Sequence, residues 1–425
     1  DPPRDAGPEA TQALSDRLRQ ATITALELYA VYLGERLGLY RALAEGGPAT
    51  SAELAERTGT VERYVREWLE QHAASGLLAV DDPAAGPLER RYRMPPEHVP
   101  VLADPDDVDY QAYRGVEAVR AARPLPDLAE AFRHGGAPPP LPWEPEGRAE
   151  FNRALFLKLL GRRWLPAIPE VDRRLRADPP ARVADVACGT GWSSIAMARA
   201  YPKITVDGFD VDPDVVAAAA DNARETGMTG RVRFAVVDAA DPGVAGRYDL
   251  VTIFEALHDM ARPVDALRAA RAMLAEGGSV VLADERVEDQ FTAPAPDRDR
   301  RAYGWSVVSC LPSVMGDPET AATGAVLRPG HPGRLRRRGR VRPHRDARRR
   351  GRGLALLPAV ALAPRRVGPG LGQPAVEGAA GQALVGLAVA GGGAGDHVGR
   401  EGRGRGPLVP GLVLEPVADV LLVER

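Results

Sequence analysis

The chain has 425 residues, too many for one ordinary domain and enough for two or three. Its 55 basic and 58 acidic residues leave a formal charge of −3, so overall charge gives no reason to expect nucleic acid or an anionic membrane as a partner. Two cysteines, Cys188 and Cys310, exclude a disulfide scaffold and a multi-cysteine zinc site, and no metal site is expected.

No apolar run approaches the ~20 residues of a membrane span, and the start Asp1-Pro2-Pro3-Arg4, without an initiator Met, is no signal peptide. The expectation is a soluble, cytoplasmic protein with a trimmed or incomplete start. Among the basic residues only Lys158 and Lys203 are lysine, the mark of a high-GC coding sequence rather than of chemistry.

Residues 11–100 read as a winged helix. Leu14, Leu18, Ile23, Leu26, Leu28, Val31, Leu33 and Leu37 recur at helical spacing. Thr50 followed three residues on by Glu53 is a capping box that opens a helix over Ser51 to Arg57. Gly59 ends it, and a second helix runs from Val61 to about Ala74 with Tyr64, Val65, Trp68, Leu69 and His72 on one face. Leu77 to Val80 and Arg91 to Met94 then form a hairpin. Residues 1–110 hold 11 Arg and 20 acidic residues, which would repel phosphates, so dimerisation and cover of an active site are expected instead of DNA binding.

Residues 105–180 read as a helical connector. It contains a Gly/Pro-rich loop with Trp143, followed by Phe151, Leu155, Phe156, Leu159, Leu160 and Trp164 at helical spacing. Such a stripe is core or, between two domains, the wall of a small-molecule pocket.

The chemistry is expected in residues 181–327. A strand from Arg182 to Ala187 leads into Cys188-Gly189-Thr190-Gly191 and a helix. Further strands end at Asp210 and Asp238, a fourth runs from Tyr248 to Phe254, and a fifth from Ser279 to Ala283, with helices between. Alternating elements of this kind predict an α/β fold with a doubly wound, Rossmann-like parallel sheet. Ligands of such sheets bind at the carboxyl ends of the strands, where Asp185, Gly189, Gly191, Asp210, Asp238 and Glu255 fall. The loop Asp185 to Gly191 is neither the dinucleotide fingerprint nor a P-loop, and Asp210 is placed to accept both hydroxyls of a ribose.

With these residues in order, residues 180–287 resemble a class I S-adenosylmethionine-dependent methyltransferase. With the winged helix ahead of it, the chain is similar, over residues 11–327, to actinobacterial methyltransferases related to the small-molecule O-methyltransferases. The resemblance implies that Asp185 and the loop Ala187, Cys188, Gly189, Thr190 and Gly191 hold the methionine part of the cofactor. It implies that Asp210 binds the ribose, that Val211 packs on adenine and that Asp238 with Ala239 reads the adenine amino group. Phe254 and Glu255 complete the cofactor set. Ala187 stands where many members have the first glycine. The stretch Leu257-His258-Asp259 is similar to one that carries a histidine base in plant-type enzymes, so His258 is the candidate for proton removal. Met260 replaces the tryptophan usual there. Trp143, Trp164, Tyr303 and Trp305 are the candidate aromatic wall for a small hydroxylated or aromatic acceptor. A homodimer through the N-terminal domain is expected. The competing reading is a winged-helix regulator or scaffold that binds the cofactor without catalysis.

Residues 328–425 differ from the rest. They hold 18 Arg, 7 acidic residues, 20 Gly and 10 Pro, and every Phe, Tyr and Trp of the chain precedes residue 306. A basic nucleic-acid tail, a low-complexity linker and an out-of-frame translation are the readings open. Codons permitted for residues 330–347, shifted by one base, can read DTLAGYAAEAGFDRIET, and those for Leu354 to Val360 can read WRFYRL. The out-of-frame reading therefore leads, and it predicts that nothing from residue 328 onward joins the fold. The fifth strand would then expose an unpaired edge.

Overall fold

The computed structural model describes residues 7–141, 152–240, 243 and 247–328, and the backbone alone of 418–424. The chain forms two compact units, the first from residues 1–126 and 144–155, the second from 127–143 and 156–425. The helices of the stretch 105–180 divide between the two units.

The first unit opens with the long helix α1 (Pro8–Arg36). It continues through α2 (Leu39–Gly46), α3 (Ser51–Thr58) and α4 (Glu62–Ala74) to a two-stranded hairpin, β1 (Ala79–Val80) and β2 (Tyr92–Arg93), with Val80 opposite Tyr92. The capping box forms as its sequence dictates: Glu53 N–H donates to Thr50 Oγ1 at 3.3 Å and Thr50 N–H to Glu53 Oε2 at 2.9 Å. Leu39, Leu43, Leu54, Val65, Trp68 and Leu69 form the core. Tyr64, grouped with that face by its spacing, is 79% exposed, because it lies one turn too early on α4 to reach the core. His72 is fully buried. Its Nε2 meets the Tyr40 hydroxyl at 2.6 Å and its Nδ1 the Trp68 carbonyl at 3.1 Å. The short α5 (Val99–Leu102) and α6 (Tyr113–Ala122) follow. Gly115 of α6 lets backbones touch, since a Cβ there would stand 2.5 Å from Tyr32 N of α1.

Helix α7 (Leu125–His134) leads towards the second unit. The first unit also holds the short α8 (Arg153–Leu155), and the second continues with a wide-turned helical stretch (Phe156–Trp164) and α9 (Pro169–Arg176). The alternating part is β3 (Arg182–Val186), α10 (Trp192–Ala200), β4 (Thr205–Asp210), α11 (Pro213–Glu225), β5 (Val232–Val236), β6 (Tyr248–Phe254), α12 (Pro263–Met273) and β7 (Leu274–Glu285). Strand order is β5-β4-β3-β6-β7, all parallel. Alternate residues feed two cores. Val183, Val206, Leu250 and Val281 pack one face, and Ala184, Val186, Val251 and Val280 the other. Burial on both faces explains why β3 and β6 are mostly apolar, with Asp185 and Thr252 the polar residues at their buried positions. Helices α13 (Asp297–Trp305) and α14 (Leu311–Val314), joined through Ser306–Cys310, complete the unit.

The expectation for the tail is corrected at two points. First, β8 (Ala418–Glu424) pairs antiparallel with β7, so the edge of the fifth strand is covered. The segment Ala-Asp-Val-Leu-Leu-Val-Glu holds no Gly, Pro or Arg, and a strand edge pairs with any such segment in reach. Composition averaged over the whole tail hides a seven-residue strand. Second, Arg328 belongs to the fold: its guanidinium meets the buried Asp299 carboxylate, the Glu288 carbonyl at 2.8 Å and the Tyr303 hydroxyl at 2.7 Å. Residues 329–417, on which the out-of-frame reading rests, lie outside the described residues.

Candidate active site

The loop between β3 and α10 is tied down on three sides. Cys188 N–H donates to the Phe209 carbonyl at 3.0 Å, and Gly189 N–H to Asp210 Oδ2 at 2.9 Å. Asn222 Nδ2 of α11 donates to the Thr190 carbonyl at 3.0 Å. Ala187, Gly189 and Gly191 all have left-handed backbones, with φ of 54°, 53° and 81°. The two glycines are glycine for different reasons. A Cβ on Gly191 would stand 2.4 Å from the ring of Phe234, whereas nothing lies within 4 Å of a Cβ placed on Gly189. Gly191 makes room for the protein itself, and Gly189 faces open space at the carboxyl ends of β3 and β4.

Asp185 turns inward. It is buried and accepts from Ser193 Oγ at 2.5 Å, Ser194 Oγ at 2.6 Å and Thr252 Oγ1 at 2.8 Å. Burial pushes its carboxyl up, against the three hydroxyls that favour its charged form. Its duty is to staple β3 to the first turn of α10 and to β6. Cys188 packs beside Gly208. Burial, with Asp185 and Asp210 nearby, pushes its thiol well up, which keeps it protonated and unreactive.

Asp210 is half-buried. Besides the Gly189 bond, its Oδ1 accepts from Asp212 N–H at 3.2 Å. Val211 next to it is 68% exposed, although apolar. Asp238 accepts from Ala240 N–H at 2.8 Å and pairs with Arg262 at 2.8 Å, while Ala239 packs on the core. Phe254 is buried against Phe156, their centroids 5.7 Å apart, and Trp164 meets the same Phe156 edge-on. Both rings serve the core. Tyr303 is held by Arg328 and Phe291, and Trp305 is half-buried on the same helix. Trp143 lies outside the described residues. A cavity of about 280 Å³ bounded by Glu170, Arg174, Asp249 and Ser279 opens at the amino ends of β6 and β7, the end opposite to the loop.

A second group gathers past β6 and β7. His258 is buried. Its Nδ1 makes a short contact with Asp284 Oδ1, its backbone N–H donates to Asp284 Oδ2 at 3.2 Å, and its Nε2 lies 3.4 Å from Asp259 Oδ1. Burial alone would lower the imidazole, but Asp284, Cys310 and Asp259 together outweigh it and push it up to about 12. Glu255, at φ 52°, is pushed well up by burial beside Glu285 and Asp284. Sequence reading singled out His258 and Glu255 but missed Asp284 and the convergence of Asp259 and Cys310 on the imidazole. It also missed Phe234, Asn222 and the two serines. The acidic residue closing β7 was a usable signal for Asp284, whereas Cys310 carried none beyond being a cysteine.

Residues 177–315 match the methyltransferase domain family, and residues 24–104 the Rv2258c-like winged HTH domain. A trans-aconitate 2-methyltransferase of Streptomyces avermitilis is 32% identical over 156 residues, 36% of this chain and 53% of that protein. A 3-hydroxy-5-methyl-1-naphthoate 3-O-methyltransferase of Streptomyces sahachiroi is 29% identical over 276 residues, 60% of this chain and 73% of that protein. The chain thus spans about half the length of the first relative and about three quarters of the second. Among solved structures, PigF with SAH superposes with a TM-score of 0.56 at 20% identity, covering 78% of this chain and 96% of that one. Human N-acetylserotonin methyltransferase gives 0.53 at 19% identity, covering 73% and 88%. These two likenesses establish the fold. Two family models thus match the chain one after the other, a winged helix–turn–helix domain and then a methyltransferase domain.

Proposed function

We propose that the chain is an S-adenosylmethionine-dependent methyltransferase acting on an oxygen of a small hydroxylated or aromatic molecule. The observation that carries this reading is the pairing of open space above Gly189 with the Asp210 carboxylate beside it. A carboxylate offers about four lone-pair sites, and Asp210 spends two on backbone N–H groups, which leaves two for ribose hydroxyls. Exposed Val211 offers an apolar surface where an adenine ring would lie. Asp238, steadied by Arg262, is the acceptor next along the strand ends.

When bound, the cofactor supplies a methyl group on a sulfonium. The chain's task is alignment and exclusion of water. His258 is the group proposed to manage the acceptor's charge. Asp284 fixes the ring through Nδ1, and Nε2 faces the Asp259 carboxylate at 3.4 Å. Pushed up to about 12 with Asp284 and Asp259 beside it, the ring keeps its proton and is set to hold an acceptor oxyanion. Tyr303 and Trp305 are the described candidates for an aromatic wall. The relative from Streptomyces sahachiroi is named for a hydroxynaphthoate, an acceptor of this class. A labelled-methyl assay across phenols, carboxylates and alcohols tests the reading. Transfer to an aromatic hydroxyl is expected, and absence of both transfer and cofactor binding would overturn it.

The regulator reading finds less support. The cations of α4 are spent locally, Arg63 on Glu67 at 2.5 Å and Arg66 on Glu62 at 3.3 Å. An anisotropy titration at ~150 mM salt should show no sequence-dependent DNA binding. We place dimerisation on α1, where Leu14, Leu18, Ile23 and Leu26 are each more than half exposed. Such a stripe signals a partner surface. Light scattering should report a dimer that Leu18→Glu dissociates, and a dimer unmoved by that change would refute the placement. Both cysteines are unpaired, which supports a cytoplasmic setting. Among the described residues no helix is long and apolar enough to cross a membrane.

A further inference from the structure

Residues 321–328 run as a strap across the second unit. At its start Ala321 N–H donates to the Ala261 carbonyl at 2.7 Å, and Thr323 Oγ1 to the His258 carbonyl at 3.4 Å. In its middle Ala325 N–H donates to Ser306 Oγ at 3.1 Å. Gly324, at φ 63°, lets the strap lie that close, since a Cβ there would stand 2.2 Å from the same oxygen. At its end the Arg328 side chain enters the protein and is only 5% exposed. Its Nε donates to the Glu288 carbonyl at 2.8 Å and its Nη1 to the Tyr303 hydroxyl at 2.7 Å. Its Nη2 meets the carboxylate of Asp299, which is wholly buried.

We propose that Arg328 is a positioning residue for the acceptor: it sets where the Phe291–Tyr303 pair stands relative to His258, and so which aromatic acceptors fit. The proposal rests on the methyltransferase reading above. Taking a guanidinium and a carboxylate out of water is costly, and apolar side chains of similar volume would serve packing as well. What the guanidinium adds is direction, because its planar fork fixes each partner at a set angle. Those partners all belong to the two segments after β7. Glu288 is gripped at both its backbone groups, the N–H by Asp299 Oδ1 at 2.9 Å and the carbonyl by Arg328. Tyr303 has the Arg328 guanidinium over its ring at 5.4 Å and Phe291 edge-on at 6.1 Å. Ser306, under the strap, opens the wide-turned stretch that ends at Cys310 beside the His258 imidazole. Wide turns inside helices recur at functional sites. The contacts thus close a circuit from His258 along the strap to Arg328 and Tyr303, and back through Ser306 and Cys310. Among the described residues, every side-chain hydrogen bond of Arg328 falls after β7 and none on Gly189 or Asp210. Acceptor fit and cofactor affinity should therefore part.

The test uses the full chain with S-adenosylmethionine and 4-nitrophenol, an aromatic hydroxyl ionised in part at neutral pH. Methylation of its oxygen removes the yellow phenolate band, so absorbance reads turnover, and calorimetry of S-adenosylhomocysteine reads cofactor affinity. Arg328→Met combined with Asp299→Asn removes the pair together and leaves no lone buried charge. For this double variant kcat/KM for 4-nitrophenol should fall about 10²-fold, the scale of a misplacement of roughly 1 Å, at unchanged Kd for S-adenosylhomocysteine. Tyr303→Phe deletes only the hydroxyl that Arg328 holds and should lower kcat/KM in the same direction, by less. It keeps the ion pair, so it carries the test alone if the double variant does not fold. Unchanged kcat/KM overturns the proposal, as does a fall matched by an equal loss of cofactor affinity, the mark of a merely structural pair. Wild-type protein that binds S-adenosylhomocysteine but leaves 4-nitrophenol unmethylated also overturns it, while the cofactor assignment stands. Absence of S-adenosylhomocysteine binding would instead remove the methyltransferase reading itself.

Discussion

Gly189 donates its backbone N–H to Asp210 Oδ2 at 2.9 Å, so the glycine loop of one strand is anchored by the carboxylate that ends the next. The same side chain therefore shapes the loop and faces the ligand. Asp210→Ala should weaken S-adenosylmethionine binding by about 2–3 kcal/mol, since a buried ribose loses its acceptor. Asp210→Asn, which keeps one acceptor oxygen, should lose less. Calorimetry decides it, and unchanged affinity in the alanine variant would remove Asp210 from the site.

The three left-handed positions of the loop should respond differently to substitution. Ala187→Gly should stabilise the protein by about 0.5–1 kcal/mol, because a non-glycine residue at φ 54° is strained. Gly191→Ala should destabilise by about 1–3 kcal/mol through its clash with Phe234. Gly189→Ala should cost about 1 kcal/mol of stability from backbone strain yet abolish most cofactor binding, its methyl entering the open space. Denaturant melts paired with calorimetry separate the three. If Gly189→Ala binds the cofactor normally, that space is not the cofactor's.

His258 should matter to turnover and leave cofactor affinity intact. His258→Gln should lower the rate by ~10²–10⁴-fold at unchanged cofactor Kd. A variant with near-full turnover would return His258 to a structural role in its contact with Asp284.

Acid should weaken the winged helix through His72. Burial lowers this imidazole to about 4, against the Trp68 carbonyl that favours its proton. Since the folded value lies below the unfolded ~6.5, His72 costs nothing above about pH 6.5. Stability is lost as pH falls from there towards 4, by about 3 kcal/mol at the lower limit. Urea melts followed by the fluorescence of Trp68, whose ring centre lies 3.9 Å from that of His72, should show the slope in the native protein and a flatter one in His72→Gln. Equal slopes would show that His72 is not the group titrating.

What the sequence determined by itself was whatever a few adjacent residues decide. Thr50 with Glu53 start a helix through hydrogen bonds three residues apart. Tyr248 to Phe254 form a strand because a short segment of mainly apolar and β-branched residues must be covered on both faces. Glycine loop, Asp210 and Asp238 fall at strand ends because alternation of β and α elements already orders a parallel sheet. The tertiary structure alone decided which way side chains turn and what comes together from afar. Asp185 accepts from three hydroxyls of its own chain, and Phe254 packs in the core. Tyr64 faces out, and Asp284 and Cys310 close on His258 across 26 and 52 residues. The pairing of residues 418–424 with β7 belongs with these. Contacts across such separations depend on packing and on backbone pairing between elements, and no local pattern in the chain encodes a partner that distant.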